Sequence, residues 1–95
     1  MQQNIIKDTV VKGLKTEKIF KTDSAETILI TLEKDALFPK HTSPKDAMLA
    51  VLEGSINFFI DGEEYLLKAH EVFNFSKGVE HYVTANENSK FLVIR

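Results

Sequence analysis

The chain has 95 residues, of which 43% are hydrophobic and 27% are charged, and its formal net charge at pH 7 is −2. A chain of this length forms one domain that buries about 60 to 70% of its unfolded surface. The charge excludes the strongly basic field typical of nucleic-acid-binding proteins. The absence of cysteine excludes disulfides, thiol nucleophiles and thiolate metal sites. We therefore expect one domain over residues 1–95, with no nucleic-acid partner.

The sequence contains no segment typical of membrane insertion or export. No run approaches the ~20 apolar residues of a transmembrane helix. Residues 1–8 lack the apolar centre of a signal peptide. We expect no membrane partner and a cytoplasmic location.

Residues 1–22 carry two conflicting patterns. Pairs of β-branched residues at 5–6 and 10–11 favour a strand, whereas three lysines at threefold spacing suit a short helix broken by Gly13. We favour extended structure, as an N-terminal strand or arm that is exchanged between the subunits of a dimer or stays on its own subunit. The barrel would then occupy residues 23–95.

Strand patterns are clearer from residue 27 onward. Residues 27–33 are rich in β-branched side chains and too short for a typical helix. Residues 38–44 contain both prolines, which place this stretch at a sheet edge, bend or strand start. In the strand predicted over 46–52, alternation puts Ala47, Leu49 and Val51 on one face. The opposite face carries Met48, Ala50 and Leu52, so both faces are apolar.

A hairpin over residues 51–67 organises the rest of the chain. Asp61-Gly62 is typical of a type I′ turn, whose twist matches that of the flanking strands. Further strands are predicted over 71–75, 79–85 and 90–94, with turns at 76–78 and 86–89. Eight to ten short strands and no convincing helix predict an all-β barrel or double sheet.

Three features in this order resemble a small single-domain cupin over about residues 28–95. His41 and Gly54 fall in register with the family's first motif, and the hairpin over 51–68 is close to the family pattern. Residues 76–81, Ser-Lys-Gly-Val-Glu-His, match the closing motif. The resemblance implies a cupin-type antiparallel β-barrel, or double-stranded jelly roll. It places His70 at the position of a tight-turn glycine, and His tolerates left-handed backbone better than most residues.

The resemblance also implies a divalent-metal site of four ligands, but two of the four positions have changed. His41 and His81 occupy the first and last ligand positions, while Ser43 and Ala47 replace a histidine and a glutamate. A neutral hydroxyl is a poor ligand and alanine offers none. We expect either no cofactor or a weakly bound Zn, Mn, Fe or Ni ion on His41 and His81.

The two histidines are also the candidate catalytic residues, because an imidazole titrating near neutrality serves as a general acid or base. We expect them to share one cavity whose apolar walls suit a small, partly apolar ligand. The predicted pocket residues are His41, Ser43, Ala47, Leu49, Phe75 and His81.

Three functions remain open at this point. The favoured one is a small-molecule binding or sensing module without a complete metal site. The alternative is an isomerase- or dioxygenase-like enzyme that acts on a small polar metabolite through a reduced metal site or histidine acid/base chemistry. The third is an interaction or scaffold protein. The resemblance also implies a homodimer, with the apolar face of Met48, Ala50 and Leu52 as one candidate contact.

Overall fold

The computed structural model describes residues 3–95, which form two antiparallel sheets. One sheet has five strands in the order β1-β2-β9-β4-β7, and the other has four in the order β3-β8-β5-β6. The elements are α1 (Ile5–Asp8), β1 (Leu14–Lys21), β2 (Glu26–Leu32), β3 (Leu37–His41), β4 (Ala47–Glu53), β5 (Ser55–Ile60), β6 (Glu63–Lys68), β7 (Val72–Phe75), β8 (His81–Ala85) and β9 (Ser89–Ile94). This architecture confirms the predicted all-β jelly roll.

The core lies between the two sheets, because each strand turns alternate side chains inward. In β4, Ala47, Leu49 and Val51 are buried, whereas the intervening side chains are half-buried on the outer face. The largest buried side chains, Phe58 of β5 and Phe91 of β9, are fully enclosed. The faces predicted for residues 46–52 are therefore confirmed.

The turn chemistry read from the sequence is also confirmed. Asp61 and Gly62 both have positive φ, at 53° and 78°, as a type I′ turn requires between β5 and β6. His70 has φ of 75°, so it occupies the left-handed position expected of it. The hairpin forms between Ser55–Ile60 and Glu63–Lys68, with residue 60 opposite residue 63. The predicted start at residue 51 is too early, because residues 51–53 end β4 in the other sheet.

The N-terminal prediction is only partly correct. Leu14–Lys21 is extended and pairs with β2 of the same chain, but Ile5–Asp8 forms a short helix where we expected a strand. The outward-facing Lys90 explains the difference, because its Nζ donates to the carbonyl oxygens of Ile6 (2.6 Å) and Lys7 (3.2 Å). Tertiary contacts of this kind override weak local preferences. Residues 1–2 of the predicted arm lie outside the described residues.

The structure also bears on the predictions about the membrane and the dimer contact. Within residues 3–95, no helix has the length and hydropathy needed to cross a bilayer. Met48, Ala50 and Leu52 form a half-buried apolar face on the outside of the five-stranded sheet. The homodimer and the cytoplasmic location remain predictions.

Candidate functional site

His41 and His81 face each other across two neighbouring strands. They are directly opposed in the register between β3 and β8, and their ring centroids are 4.2 Å apart in an edge-on arrangement. His41 is half-buried, and only 3% of His81 is exposed. The ring of Phe75 lies 4.6 Å from that of His81. The two imidazoles therefore form one cluster at the edge of the aromatic core.

An irregularity in β3 brings Phe38 to the same cluster. Phe38 pairs with Val83 and His41 pairs with His81, so β3 has one more residue than β8 over this interval. Such a β-bulge changes which face the following side chains occupy, and Pro39, which has no N–H to donate, lies within it. As a result, the rings of Phe38 and His41 stack with centroids 4.1 Å apart.

Backbone carbonyls fix the tautomer of both histidines. Nδ1 of His41 lies 2.7 Å from Pro39 O, and Nδ1 of His81 lies 2.9 Å from Val79 O. Because a carbonyl oxygen only accepts, Nδ1 carries the proton in each ring. Nε2 is therefore the ring nitrogen of each histidine that has no hydrogen bond within residues 3–95.

The surroundings of His81 favour its neutral form. Burial lowers the pKa of His81 below its ordinary value of 6.5, and the hydrogen bond to Val79 O opposes this effect. Repulsion from a proton bound to His41 and from the guanidinium of Arg95 lowers the pKa of His81 further. In its neutral form, His81 can accept a hydrogen bond or a proton at Nε2.

A cavity of about 410 Å³ opens beside the two histidines. Four predicted pocket residues line it: His41, Ser43, Phe75 and His81. Ala47 and Leu49 do not, and we correct the prediction for them. Both point inward from β4, but they pair with the aromatic residues of β7 and lie in the packed core. The cavity is instead completed by Thr16, Glu17, Lys18, Ile28, Ile30, Phe38, Thr42, Val93 and Arg95.

Sequence reasoning missed an ion pair at this cavity. Nε of Arg95 donates to Oε1 of Glu26 over 2.8 Å, and this hydrogen bond holds the pKa of Glu26 below its usual range. The alternation of β9 contains the relevant signal, because Arg95 continues the inward series of Phe91 and Val93. Glu26 likewise precedes the inward-facing Ile28 of β2.

The donor set does not fit the four-ligand metal site that the cupin fold implies. Two imidazole nitrogens are present, but no third His, Cys, Asp or Glu within the described part of the chain joins them in a metal-holding group. The Ser43 hydroxyl already donates to Lys45 O at 2.6 Å, and Ala47 has no donor. Asp46 is also committed elsewhere, since its Oδ1 accepts from the backbone N–H of Lys77. The site therefore supplies half of a tetrahedral ligand set.

Comparisons with known proteins agree with this fold. The family model for the cupin domain matches residues 28–95. An RmlC-like cupin from Desulfovibrio desulfuricans superposes with a TM-score of 0.87 at 19% identity, covering 99% of this chain and 93% of its own.

Two other solved structures show the same likeness. A cupin superfamily protein from Desulfitobacterium hafniense superposes with a TM-score of 0.82 at 14% identity, covering 92% of this chain and 80% of its own. A conserved Streptococcus pyogenes protein of unknown function superposes with a TM-score of 0.77 at 22% identity, covering 97% of this chain and 90% of its own. No functionally curated sequence matches the chain. At these identities the structures establish the fold alone, and together with the family match they show that this chain belongs to the cupin domain family.

Proposed function

We propose that the protein binds a small molecule in the cavity beside His41 and His81, without a complete metal site. The observation that carries this proposal is the cavity of about 410 Å³, into which two imidazoles and several apolar side chains converge. Pockets of this size, with mainly apolar walls and a few polar anchors, are typical of small-molecule sites. Three larger hollows, of about 690, 700 and 570 Å³, are lined by neither histidine.

The apolar part of the wall comes from both sheets. Ile28, Ile30 and Val93 belong to the five-stranded sheet, and Phe38 belongs to the four-stranded one. Desolvation of a ligand's apolar surface against these side chains would supply most of the affinity. The Nε2 atoms of His41 and His81 would accept hydrogen bonds from the ligand and fix its orientation.

A thermal-shift screen of small metabolites tests the proposal, with two variants of β9 as probes. Val93→Phe replaces a small side chain in the cavity by a phenyl ring, whereas Leu92→Phe adds a phenyl ring on the outer face of the same strand. We expect compounds that stabilise the wild type and Leu92→Phe but not Val93→Phe. Stabilisation of all three proteins alike would show that binding occurs elsewhere, and a screen without any stabilising compound would favour an interaction protein.

A second candidate function, enzymatic acid/base catalysis, is favoured by the tautomer of the two histidines. With its proton on Nδ1, the neutral ring of His81 has a free lone pair on Nε2, so His81 would take a proton from a bound molecule and return the same proton to another atom of that molecule, while Nε2 of His41 would accept a hydrogen bond from it. Compounds from the screen, incubated with the protein and followed by NMR, would reveal any conversion. Turnover that is lost in His81→Ala while the fold is retained would support an enzyme, and turnover equal to that of the wild type would remove this candidate.

A further inference from the structure

Arg95 lies where the backbone holds it firmly against the cavity. Its N–H donates to Glu26 O over 3.0 Å, and its own carbonyl accepts from the N–H of Glu26 at 2.6 Å. These two bonds continue the ladder between β2 and β9 past its last strand residues. The Arg95 side chain is 19% exposed and lines the same cavity as His41 and His81.

The guanidinium of Arg95 is only partly occupied by the protein. Nε donates to Glu26 Oε1 at 2.8 Å, and Nη1 makes a long contact of 3.4 Å with the Ser43 hydroxyl. An arginine side chain has five N–H donors arranged in a rigid fork. Its remaining donors have no acceptor in residues 3–95, so the fork has capacity for an additional acceptor.

The side chains at this end of the cavity are joined by ion pairs in which three cations meet two carboxylates. The Glu26 carboxylate is shared between Arg95 and Lys18, whose Nζ lies 3.4 Å from Oε2. Glu26 itself lies behind the wall; the carboxylate that lines the cavity, that of Glu17, pairs with Lys15 at 3.2 Å. Two cations therefore share the single side-chain carboxylate of Glu26.

We infer that the ligand is a small monocarboxylate whose carboxylate binds the guanidinium of Arg95 and whose body contacts the apolar wall of the cavity. This inference rests on the proposed function, because it names the chemical class that the same cavity takes. A planar carboxylate suits the geometry of a guanidinium fork, and the bond between them is charge-assisted. The neutral Nε2 atoms of the histidines would accept from a hydroxyl or N–H group elsewhere on the ligand.

Matched acids and amides test the inference directly. We would titrate benzoate, benzamide, hexanoate and hexanamide into the protein and follow the imidazole protons of His41 and His81 by NMR. The chain has three histidines, so substitution variants assign the signals. Each acid should bind about 10- to 150-fold more tightly than its amide, since a hydrogen bond to a charged group contributes about 1.5–3 kcal/mol.

Two substitutions break the same ion pair and should act in opposite directions. Arg95→Gln removes the proposed anchor, so the preference for acids over amides should disappear. Glu26→Gln removes the competing carboxylate, so acids should bind more tightly than to the wild type. Arg95→Lys keeps the charge without the fork and should retain part of the preference. If Arg95→Gln does not fold, Glu26→Gln and Arg95→Lys decide the outcome.

Three results would overturn the inference. Equal binding of acids and amides that shifts the His81 signals would reject the carboxylate anchor while the cavity remained a binding site. Equal weakening by Glu26→Gln and Arg95→Gln would show that the ion pair has only a structural role. If no acid binds, the inference fails. The proposed function fails with it only if the metabolite screen also yields no compound specific to the cavity.

Discussion

His81 combines almost complete burial with a titratable ring, and its chemistry follows from that combination. Its Nδ1–H is used by Val79 O, so protonation would place a charge on Nε2 inside the aromatic cluster. Water solvates that charge in the unfolded chain, but the aromatic neighbours do not. The same burial that makes the ring a neutral acceptor therefore makes it a source of acid sensitivity.

The first prediction concerns stability below neutral pH. Because the pKa of His81 is lowered on folding from 6.5, the unfolded chain binds more protons below that value, and the free energy of unfolding decreases as pH falls. The loss ends below the pKa of the folded state, where both states are protonated. Denaturant titrations from pH 8 to pH 5 should show this loss in the wild type.

Two asparagine variants separate the contribution of His81 to the pH dependence of stability from that of the other titratable groups. The extra loss of stability below pH 6.5 should disappear in His81→Asn and persist in His70→Asn, which changes an exposed histidine. An identical pH dependence in all three proteins would contradict the burial argument.

At the scale of elements, the junction between β4 and β5 depends on a glycine. Gly54 has φ of +84°, and a Cβ at this position would lie 2.6 Å from Asn88 O and close to the Ser89 side chain. Gly62 has a similar φ of +78° but open space around it. The two positions therefore separate backbone strain from steric overlap.

We predict that Gly54→Ala destabilises the protein more than Gly62→Ala does. Backbone strain alone should cost about 1–2 kcal/mol at Gly62. Overlap at Gly54 should bring the cost to about 2–5 kcal/mol. Equal midpoints in urea denaturation of the two variants would show that the loop carrying Ser89 moves away without cost.

Substitutions on the two faces of strand β5 should also differ in their effect on stability. Phe58 is fully buried, with ring centroids 5.3 Å from Phe75 and 5.4 Å from His81, whereas Phe59 is half-buried and stacks on Tyr82 on the outer face. Phe58→Ala should cost about 3–5 kcal/mol, and Phe59→Ala about 1 kcal/mol. Calorimetric melting measures the loss of stability in both variants. A larger loss for Phe59→Ala than for Phe58→Ala would contradict the assignment of Phe58 to the core face of β5.

At the scale of the molecule, most of the fold could be predicted because its signals are local. Alternation in β4 and the Asp61-Gly62 turn each fix a face or a register within a few residues. The helix α1 could not be predicted, since four residues carry no periodic pattern and Lys90, which donates to the carbonyl oxygens of the helix, lies at the other end of the chain.

The site was less predictable than the fold for a related reason. Strict alternation places Phe38 and His41 on opposite faces, and only the bulge in β3 brings them together. The wall of the cavity also depends on how β1, β2 and β9 converge, which no single segment encodes. The inward direction of the Arg95 side chain could be predicted from the alternation in β9. Its ion pair with Glu26 could not, because that prediction requires the order of the strands in the sheet.

The homodimer implied by the cupin resemblance remains a prediction at this scale. Its expected contact is the apolar outer face that contains Met48, Ala50 and Leu52. A charge at the centre of that face should disrupt the contact, because a buried unpaired charge is strongly unfavourable. Sedimentation velocity should therefore show a dimer for the wild type and a monomer for Ala50→Arg. A monomeric wild type would contradict the prediction.

The central claim is that the two histidines serve a small-molecule site and not a complete metal centre. Its most direct test is elemental analysis of protein purified without an affinity tag, with Mn, Fe, Ni, Cu and Zn quantified per chain before and after incubation with excess ion. We expect metal well below one ion per chain, unchanged in His41→Ala and His81→Ala. One ion per chain in the wild type, lost in both variants, would contradict the claim.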